Sequence, residues 1–129
     1  DDDLRAAVCA MRSRLRPEGL LLVATTDYDR GTQEKPRTTK IRHLGSPPNR
    51  RLVFQVWDWA EDGRSYRFDH LLLTESGDGW QTHHGEGRYR ALLRHELESI
   101  VVDAGFTQPL WNPEYEGGYF EQVLTALSP

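Results

Sequence analysis

The stretch that decides the fold is "LRPEGLLLVATTDYDR", residues 15–30. A helical pattern ends at Pro17 and Gly19, and "LLLVA" follows with an apolar side chain at every position. A strand buried on both faces, as in a parallel sheet between helices, has this composition. The stretch therefore predicts helix, short loop and buried strand, which is half of an α/β repeat. The apolar run stops at a polar cluster: Thr25, Thr26, Asp27, Tyr28 and Asp29.

The residues before this stretch predict an amphipathic helix. Apolar side chains recur at i, i+3, i+4, i+7 and i+11, which places them on one face: Leu4, Ala7, Val8, Met11 and Leu15. The chain's single cysteine, Cys9, lies among them and is expected to be buried as a small hydrophobic residue. A single cysteine also excludes an internal disulfide and a multi-cysteine zinc site.

Composition narrows the class of protein. A length of 129 residues fits one domain, and a net charge of −4 offers no basic field to nucleic acid. No stretch approaches the length of an apolar membrane span, and no basic and then apolar leader opens the chain. We therefore expect a soluble, cytoplasmic protein with no nucleic-acid and no membrane partner.

The rest of the chain predicts an antiparallel insert and then a return to α/β elements. Residues 28–50 are polar with scattered prolines and glycines, which indicates a long loop or lid. Three aromatic-rich stretches then alternate with turns, as in an antiparallel meander. Residues 90–106 have helical spacing with Gly105 after the helix, and two strands are predicted to follow. Because this order supplies no parallel neighbours for the first strand, the predicted sheet is only half of a complete one.

Three segments carry a resemblance to a known family. Leu15, Arg16, Pro17 and Gly19 precede the apolar strand, "AGF" ends the later helix at 104–106, and "GGYFEQVLTA" follows at 117–126. In this order they resemble the C-terminal half of a class I S-adenosylmethionine-dependent methyltransferase. The group that they resemble most is the small-molecule methyltransferases similar to glycine and sarcosine N-methyltransferases. Glu18 replaces one glycine of that group's Leu-Arg-Pro-Gly-Gly.

The resemblance implies a fold and its division along the chain. The fold is α/β, the C-terminal part of a Rossmann-like seven-stranded sheet with an antiparallel three-stranded lid insert. Residues 1–29 would form a helix and the fifth strand, residues 30–89 a loop and the lid, and residues 90–129 a helix and the terminal strand hairpin. Together, residues 1–129 would be a partial methyltransferase domain.

The resemblance also implies S-adenosylmethionine as the cofactor, with its binding residues outside this chain. The family holds the cofactor with a glycine-rich turn after its first strand, where glycines let the backbone approach closely. "GEG" at 85–87 follows a meander strand and has no strand–helix–strand unit around it. No cofactor-binding residue is therefore expected in this chain; such residues are expected upstream of Asp1, and the isolated chain is expected to be inactive.

The methyl acceptor is predicted to bind after the apolar strand, because ligands in open α/β sheets bind outside the carboxyl ends of the strands. Thr26, Asp27 and Tyr28 are the candidates there. The family often has an arginine before Asp-Tyr-Asp, and that arginine holds the acceptor's carboxylate in glycine-methylating members. Thr26 stands in its place, so a neutral or cationic small molecule is the expected acceptor. The structural alternative is that Asp27 and Asp29 cap a turn while Tyr28 packs on the lid.

The meander resembles the family's lid and supplies the other acceptor-binding candidates: Trp57, His70, Arg88 and Tyr89. Core packing is the alternative for each aromatic residue. The acceptor's proton could leave to Asp27, His70 or water, so no catalytic residue is assigned.

No metal site is predicted, because the adjacent strand residues His83 and His84 point to opposite faces and cannot chelate one ion together. Two other functions stay open. The chain could be a complete small α+β protein that holds an apolar ligand, or an inactive relative used for oligomer contacts. The methyltransferase interpretation also leaves assembly into a homo-oligomer open.

Overall fold

The computed structural model describes residues 2–77, 79–113 and 121–129. The chain forms two compact units, Asp1–Arg30 with Leu92–Pro129 and Gly31–Ala91. The helices and strands follow one another in this order: α1 (Asp2–Arg14), β1 (Leu20–Thr25), α2 (Tyr28–Glu34), β2 (Arg42–Leu44), β3 (Arg51–Trp59), β4 (Ser65–Ser76), β5 (Gly79–Arg90), α3 (Arg94–Asp103), β6 (Thr107–Asn112) and β7 (Gln122–Leu127).

The first unit is a three-stranded antiparallel sheet with α1 and α3 packed on one face. The strand order is β1-β7-β6, and β1 pairs with β7 from Leu20↔Leu127 to Thr25↔Gln122. The predicted α/β class and the pairing of the two terminal strands are confirmed. The predicted turn between those strands falls on residues 114–120, outside the described residues. The core of this unit consists of Val8, Leu21, Leu97, Ile100, Val101, Phe106, Leu124 and Ala126.

The prediction that β1 is buried on both faces is wrong for this chain. Leu21 is buried, whereas Leu20 and Leu22 are each 53% exposed. Successive strand residues point to opposite faces, and α1 and α3 cover the face that carries Leu21. Within the described residues β1 pairs with β7 alone, in antiparallel orientation, so the sheet lacks the parallel neighbours that an apolar run of this kind usually has.

The two helices of the first unit follow their predicted patterns to different degrees. α1 buries Val8, but Met11 is 49% exposed. Cys9 is exposed too, so its predicted burial is wrong; it lies about 100° around the helix from Val8 and misses the buried face. Gly105 follows α3 with φ of 90°, a conformation that glycine adopts without strain. α3 buries the predicted residues Leu97, Ile100 and Val101.

The second unit is a four-stranded antiparallel sheet in the order β2-β3-β4-β5. Its three long strands β3, β4 and β5 form the predicted meander. Residues 60–64 join β3 to β4. Gly63 has φ of 65° there, and its N–H donates to the Ala60 carbonyl at 2.9 Å.

Residues 28–50 contain more regular structure than the loop or lid that was predicted. α2 begins directly after Asp27, whose Oδ1 accepts the backbone N–H of Arg30 at 3.1 Å. This is the hydrogen bond of a helix N-cap. β2 pairs with β3 through Leu44↔Arg51 and the two residue pairs before it. Both elements are short and polar, so neither shows the apolar periodicity on which sequence prediction depends.

Candidate functional site

A group of polar side chains lies at the carboxyl end of β1, within the first unit. Some follow β1 directly, one comes from the first residue of α3, and one from the first residue of β7. Because β7 runs antiparallel to β1, its first residue lies opposite Thr25 at the same edge of the sheet. We call this group the polar cluster; it consists of Thr26, Asp27, Asp29, Arg94 and Gln122.

Arg94 holds both aspartates of the polar cluster. Its Nη2 donates to Asp27 Oδ2 at 3.1 Å, and its backbone N–H donates to Asp29 Oδ2 at 3.0 Å. The Nε atom lies 3.8 Å from the same Asp29 oxygen. Since the Asp27 side chain is only 15% exposed, its charge pair with Arg94 is partly shielded from water.

Gln122 is the buried member of the polar cluster, with 1% of its surface exposed. Its Oε1 accepts a hydrogen bond from Arg94 Nε, and its Nε2 donates to the Thr26 carbonyl at 3.1 Å. Both ends of the amide therefore have partners inside the cluster. The amide connects the main chain after β1 to the start of α3.

The side chain of Arg94 also contacts Trp111 of β6, which is itself hydrogen-bonded to a residue of α3. Its guanidinium carbon lies 5.8 Å from the centre of the Trp111 ring, within the range of a cation–π contact. Trp111 in turn donates from Nε1 to Glu98 Oε2 at 3.1 Å, one helical turn after Arg94. These contacts fix the guanidinium in one place, so the aspartates face a pre-organised partner.

The predicted residues Thr26 and Asp27 come together in this cluster, Thr26 through its main-chain carbonyl and Asp27 through its carboxyl group, and Tyr28 follows them as the buried first residue of α2. Asp27 also performs the capping role that the structural alternative gave it. Sequence reasoning missed Arg94 and Gln122. A signal for Gln122 exists, because it is a polar residue at the start of the apolar strand "QVLTAL". Nothing in the sequence distinguishes Arg94 from the chain's other arginines.

The remaining candidates lie on the sheet of the second unit, on two different faces. Trp57, His70 and Tyr89 share one face, as the cross-strand pairing of β3, β4 and β5 requires. Arg88 points to the opposite face because side chains alternate along a strand. It lines an open depression there, together with Arg67. Arg88 and Tyr89, predicted to serve one site, are thus separated by the sheet.

The face with Trp57 carries a continuous group of rings, which we call the aromatic face. Tyr66 lies at the centre of this group and is 2% exposed. The centre of its ring lies 4.5 Å from the ring centre of Trp57 and 4.9 Å from that of Trp59. Phe68 stacks on Tyr89 at 4.7 Å, and Tyr89 is 51% exposed. Core packing therefore explains Tyr66, whereas Tyr89 keeps half of its surface available. The aromatic face consists of Trp57, Trp59, Tyr66, Phe68 and Tyr89.

The Phe68–Tyr89 stack depends on a glycine in β5. A Cβ atom on Gly87 would lie 2.6 Å from Phe68 Cζ, too close for any real contact. We expect Gly87→Ala to displace the ring and to lower the free energy of unfolding by about 1–3 kcal/mol, as overpacking does. Urea denaturation monitored by near-ultraviolet circular dichroism measures the loss of stability, and the spectrum of the folded variant reports the displacement of the ring.

Gly85 is the matched control for that substitution. It lies two residues earlier on the same strand and face, and a Cβ atom there would meet nothing within 4 Å. Gly85→Ala should therefore leave stability unchanged or slightly increased. Equal destabilisation by both variants would mean that Phe68 does not lie over Gly87.

The opposite face of this sheet carries a charged group centred on Asp69. His84 Nε2 lies 2.7 Å from Asp69 Oδ1, and Arg67 Nη2 lies 3.0 Å from Oδ2. The hydrogen bonds from His84 and Arg67 hold the pKa of the Asp69 carboxyl below its ordinary value. Asp69, Arg67 and His84 therefore form a charged group on that face.

No cluster of three or more His, Cys, Asp or Glu side chains suited to a metal ion occurs in residues 2–77, 79–113 and 121–129. In the same residues no helix is long and apolar enough to cross a membrane.

Comparison with known proteins gives a likeness in structure and none in sequence. No protein-family model and no curated protein matches this sequence. Among solved structures, CalS10, an amino pentose methyltransferase from Micromonospora echinaspora with bound S-adenosylmethionine, matches 97% of this chain with a TM-score of 0.68 and 17% identity. The fold of this chain is similar to about half of the fold of solved Rossmann-like methyltransferases. The match covers 50% of CalS10, so the chain spans about half the length of that structure.

Two further structures give the same result. An S-adenosylmethionine-dependent methyltransferase from Clostridium acetobutylicum matches 98% of this chain and 50% of its own, with a TM-score of 0.67 and 14% identity. The sugar N-methyltransferase KedS8 from Streptoalloteichus matches 98% of this chain and 49% of its own, with a TM-score of 0.66 and 14% identity. The predicted fold class is confirmed. CalS10 and KedS8 are sugar enzymes, whereas the sequence resemblance pointed to glycine and sarcosine N-methyltransferases.

Proposed function

We propose that this chain is the acceptor-side part of an S-adenosylmethionine-dependent methyltransferase that acts on a small molecule, with the sheet of the second unit as its lid. The polar cluster at the carboxyl end of β1 carries this proposal. Ligands of open α/β sheets bind at that edge, and the cluster is held by a buried amide and a fixed guanidinium. The methyltransferase fold of the chain supplies the reaction class.

A neutral or cationic acceptor fits the charges of the cluster. The cluster has two carboxyl groups and one guanidinium, and the Nε and Nη2 donors of Arg94 are engaged by Gln122 and Asp27. An acceptor carboxylate at this guanidinium would lie beside the two carboxyl groups that Arg94 already holds, and like-charge repulsion disfavours that arrangement. The amino pentose and sugar acceptors named for CalS10 and KedS8 support an amino sugar as the acceptor class.

The described residues do not fit the cofactor. Its binding needs a glycine-rich turn between a strand and a helix, whereas Gly85 and Gly87 lie inside strand β5. S-adenosylmethionine would supply an electrophilic methyl group, and we place the residues that bind it in sequence preceding Asp1. The chain matches 50% of CalS10, which supports a partial methyltransferase domain.

The chain's own residues would orient the acceptor and exclude water. Methyl transfer requires the nucleophile to be held in line at about 3 Å, which is a positioning task. Thr26, Asp27 and Tyr28 are proposed to contact the acceptor at the end of β1. Trp57, His70 and Tyr89 of the second unit are proposed as further acceptor-binding residues, since aromatic rings keep water from the reacting atoms. The proposal does not extend to Arg88, which lies on the opposite face of its sheet.

The open face of β1 argues against the alternative of a complete small ligand-binding protein. Leu20 and Leu22 expose apolar side chains on a strand that has no second partner among the described strands. An unpaired strand with exposed apolar side chains favours aggregation unless another segment covers it. A chain that functions alone would be expected to carry polar residues there.

Calorimetry and a radiolabel assay test the proposal. We expect no micromolar binding of S-adenosylmethionine to the 129-residue chain. The polypeptide extended by its upstream reading frame should bind it and should transfer labelled methyl groups to an amino sugar, with glycine and sarcosine as comparison acceptors. Micromolar binding to the 129-residue chain would contradict the division of the site, and an extended polypeptide that binds no cofactor would contradict the function.

A further inference from the structure

Three side chains of the second unit form a hydrogen-bonded chain beside the aromatic face. Trp57 Nε1 lies 2.8 Å from Gln55 Oε1, and Gln55 Nε2 lies 3.3 Å from His70 Nδ1. Gln55 and His70 are direct cross-strand partners in β3 and β4. The main chain of Gln55 is fixed as well, because its N–H donates to Thr39 Oγ1 at 2.8 Å and its carbonyl accepts the Thr39 N–H at 3.0 Å.

The chemistry of these groups allows only one direction for the chain. An indole N–H can donate and cannot accept, so Trp57 must donate to the carbonyl oxygen of the Gln55 amide. The amide nitrogen is then the end that faces His70, and it can only donate. His70 Nδ1 must therefore accept, which requires that it carry no proton. In a neutral imidazole the proton is then on Nε2.

We infer that Gln55 holds His70 as its Nε2–H tautomer, so that His70 presents a hydrogen-bond donor to an oxygen atom of a molecule lying on the aromatic face. A hydroxylated ring meets both demands, since its apolar side can lie on Trp57 while a hydroxyl oxygen accepts from His70. Within the described residues, no side chain or main-chain group is hydrogen-bonded to Nε2, which leaves this donor available to a ligand.

The inference changes the role expected of His70. A histidine whose Nδ1 is occupied and whose Nε2 carries the proton cannot remove a proton from a ligand through either nitrogen without breaking the chain. His70 therefore selects ligands with an oxygen atom that accepts its Nε2–H hydrogen bond. It does not serve as a general base. This role rests on the proposed function for its biological meaning, but the tautomer and ligand binding are properties of the chain itself.

Nitrogen-15 NMR of the 129-residue chain at about pH 8.5, about two units above the ordinary histidine pKa, tests the tautomer. We expect the Nδ1 resonance of His70 to be that of an unprotonated nitrogen and the Nε2 resonance that of a protonated one. In Gln55→Glu, a carboxylate replaces the amide donor, so Nδ1 should become protonated. The resonances of His84, on the opposite face, should stay unchanged in this variant. A protonated Nδ1 in the unaltered chain would overturn the inference.

Titration with methyl glucoside at millimolar concentrations tests the ligand. We expect saturable shifts of the His70 Nε2–H and the Trp57 indole N–H. His70→Leu should weaken binding about two- to tenfold, the worth of one hydrogen bond, whereas His84→Leu should leave it unchanged. Equal effects of the two variants, or no shift at His70 and Trp57, would overturn the ligand assignment. Either result leaves the methyl-transfer assay as an independent test of the proposed function.

Discussion

Arg94→Leu is expected to lower the free energy of unfolding by about 2–4 kcal/mol. The substitution leaves the buried Oε1 of Gln122 without its donor, which costs about 1–3 kcal/mol. It also removes the counter-charge of Asp27, whose side chain is 15% exposed, and this adds a smaller amount because Arg94 itself is 40% exposed. Leucine and arginine have similar helix propensities, so the helix itself is not weakened. Urea denaturation followed by circular dichroism gives the difference.

Arg5→Leu is the matched control for this prediction. Arg5 also lies in a helix and pairs with an aspartate, Asp103, at 2.7 Å, but both side chains are about half exposed. An exposed pair is worth less than about 1 kcal/mol, so this variant should remain close to the unaltered chain. Similar losses in the two variants would mean that Arg94 is not the organising residue of the polar cluster.

Arg94→Lys separates charge from shape. Lysine keeps the positive charge, but a single ammonium group cannot reach Asp27 and Gln122 with the two separate donors that a guanidinium offers. We expect a loss of stability between those of the unaltered chain and Arg94→Leu.

Leu124→Ala is expected to lower the free energy of unfolding by about 2–5 kcal/mol. Leu124 lies in β7, the central strand of the first unit, and is 0% exposed. Its truncation removes apolar contacts and leaves a cavity among side chains held by two helices, which can collapse only in part. Thermal and urea denaturation measure the loss.

Leu22→Ala is the control for the cavity, because Leu22 lies in the neighbouring strand of the same sheet and is 53% exposed. It should cost less than about 1 kcal/mol in the 129-residue chain, since little apolar surface is buried there. The same substitution in the extended polypeptide should cost more if a further segment covers this face, as the proposed function requires. A loss at Leu22 equal to that at Leu124 in the 129-residue chain would contradict the exposure of β1.

The elements that were predicted correctly are those with long, regular patterns. α3 buries side chains at helical spacing, and the three strands of the meander are long β-prone stretches separated by turn residues, so their positions follow from local sequence. α2 and β2 were missed because a single N-cap at Asp27 and a few ladder hydrogen bonds define them. The prediction that β1 is buried on both faces was wrong because a run of leucines and valine indicates only that a strand can be buried. The neighbouring segments decide whether each of its faces is covered.

The polar cluster was predicted in part for the same reason. Thr26 and Asp27 follow the apolar strand directly, so a rule about the ends of strands finds them. Arg94 and Gln122 are distant in sequence, and they reach the cluster because α3 and β7 both begin at the same edge of the sheet. The separation of Arg88 from Tyr89 follows from strand alternation, which becomes informative once the strand's bounds are known.

The sequence by itself determined the fold class, the order of the main elements and the place where a ligand would be sought, because periodicity, turns and strand ends are local properties of the chain. The tertiary structure alone decided which charges meet. A guanidinium 67 residues away from Asp27 completes the polar cluster, and an amide whose direction is fixed by Trp57 sets the tautomer of His70. Hydrogen bonds between distant residues depend on distances of about 3 Å, which only the packed chain specifies.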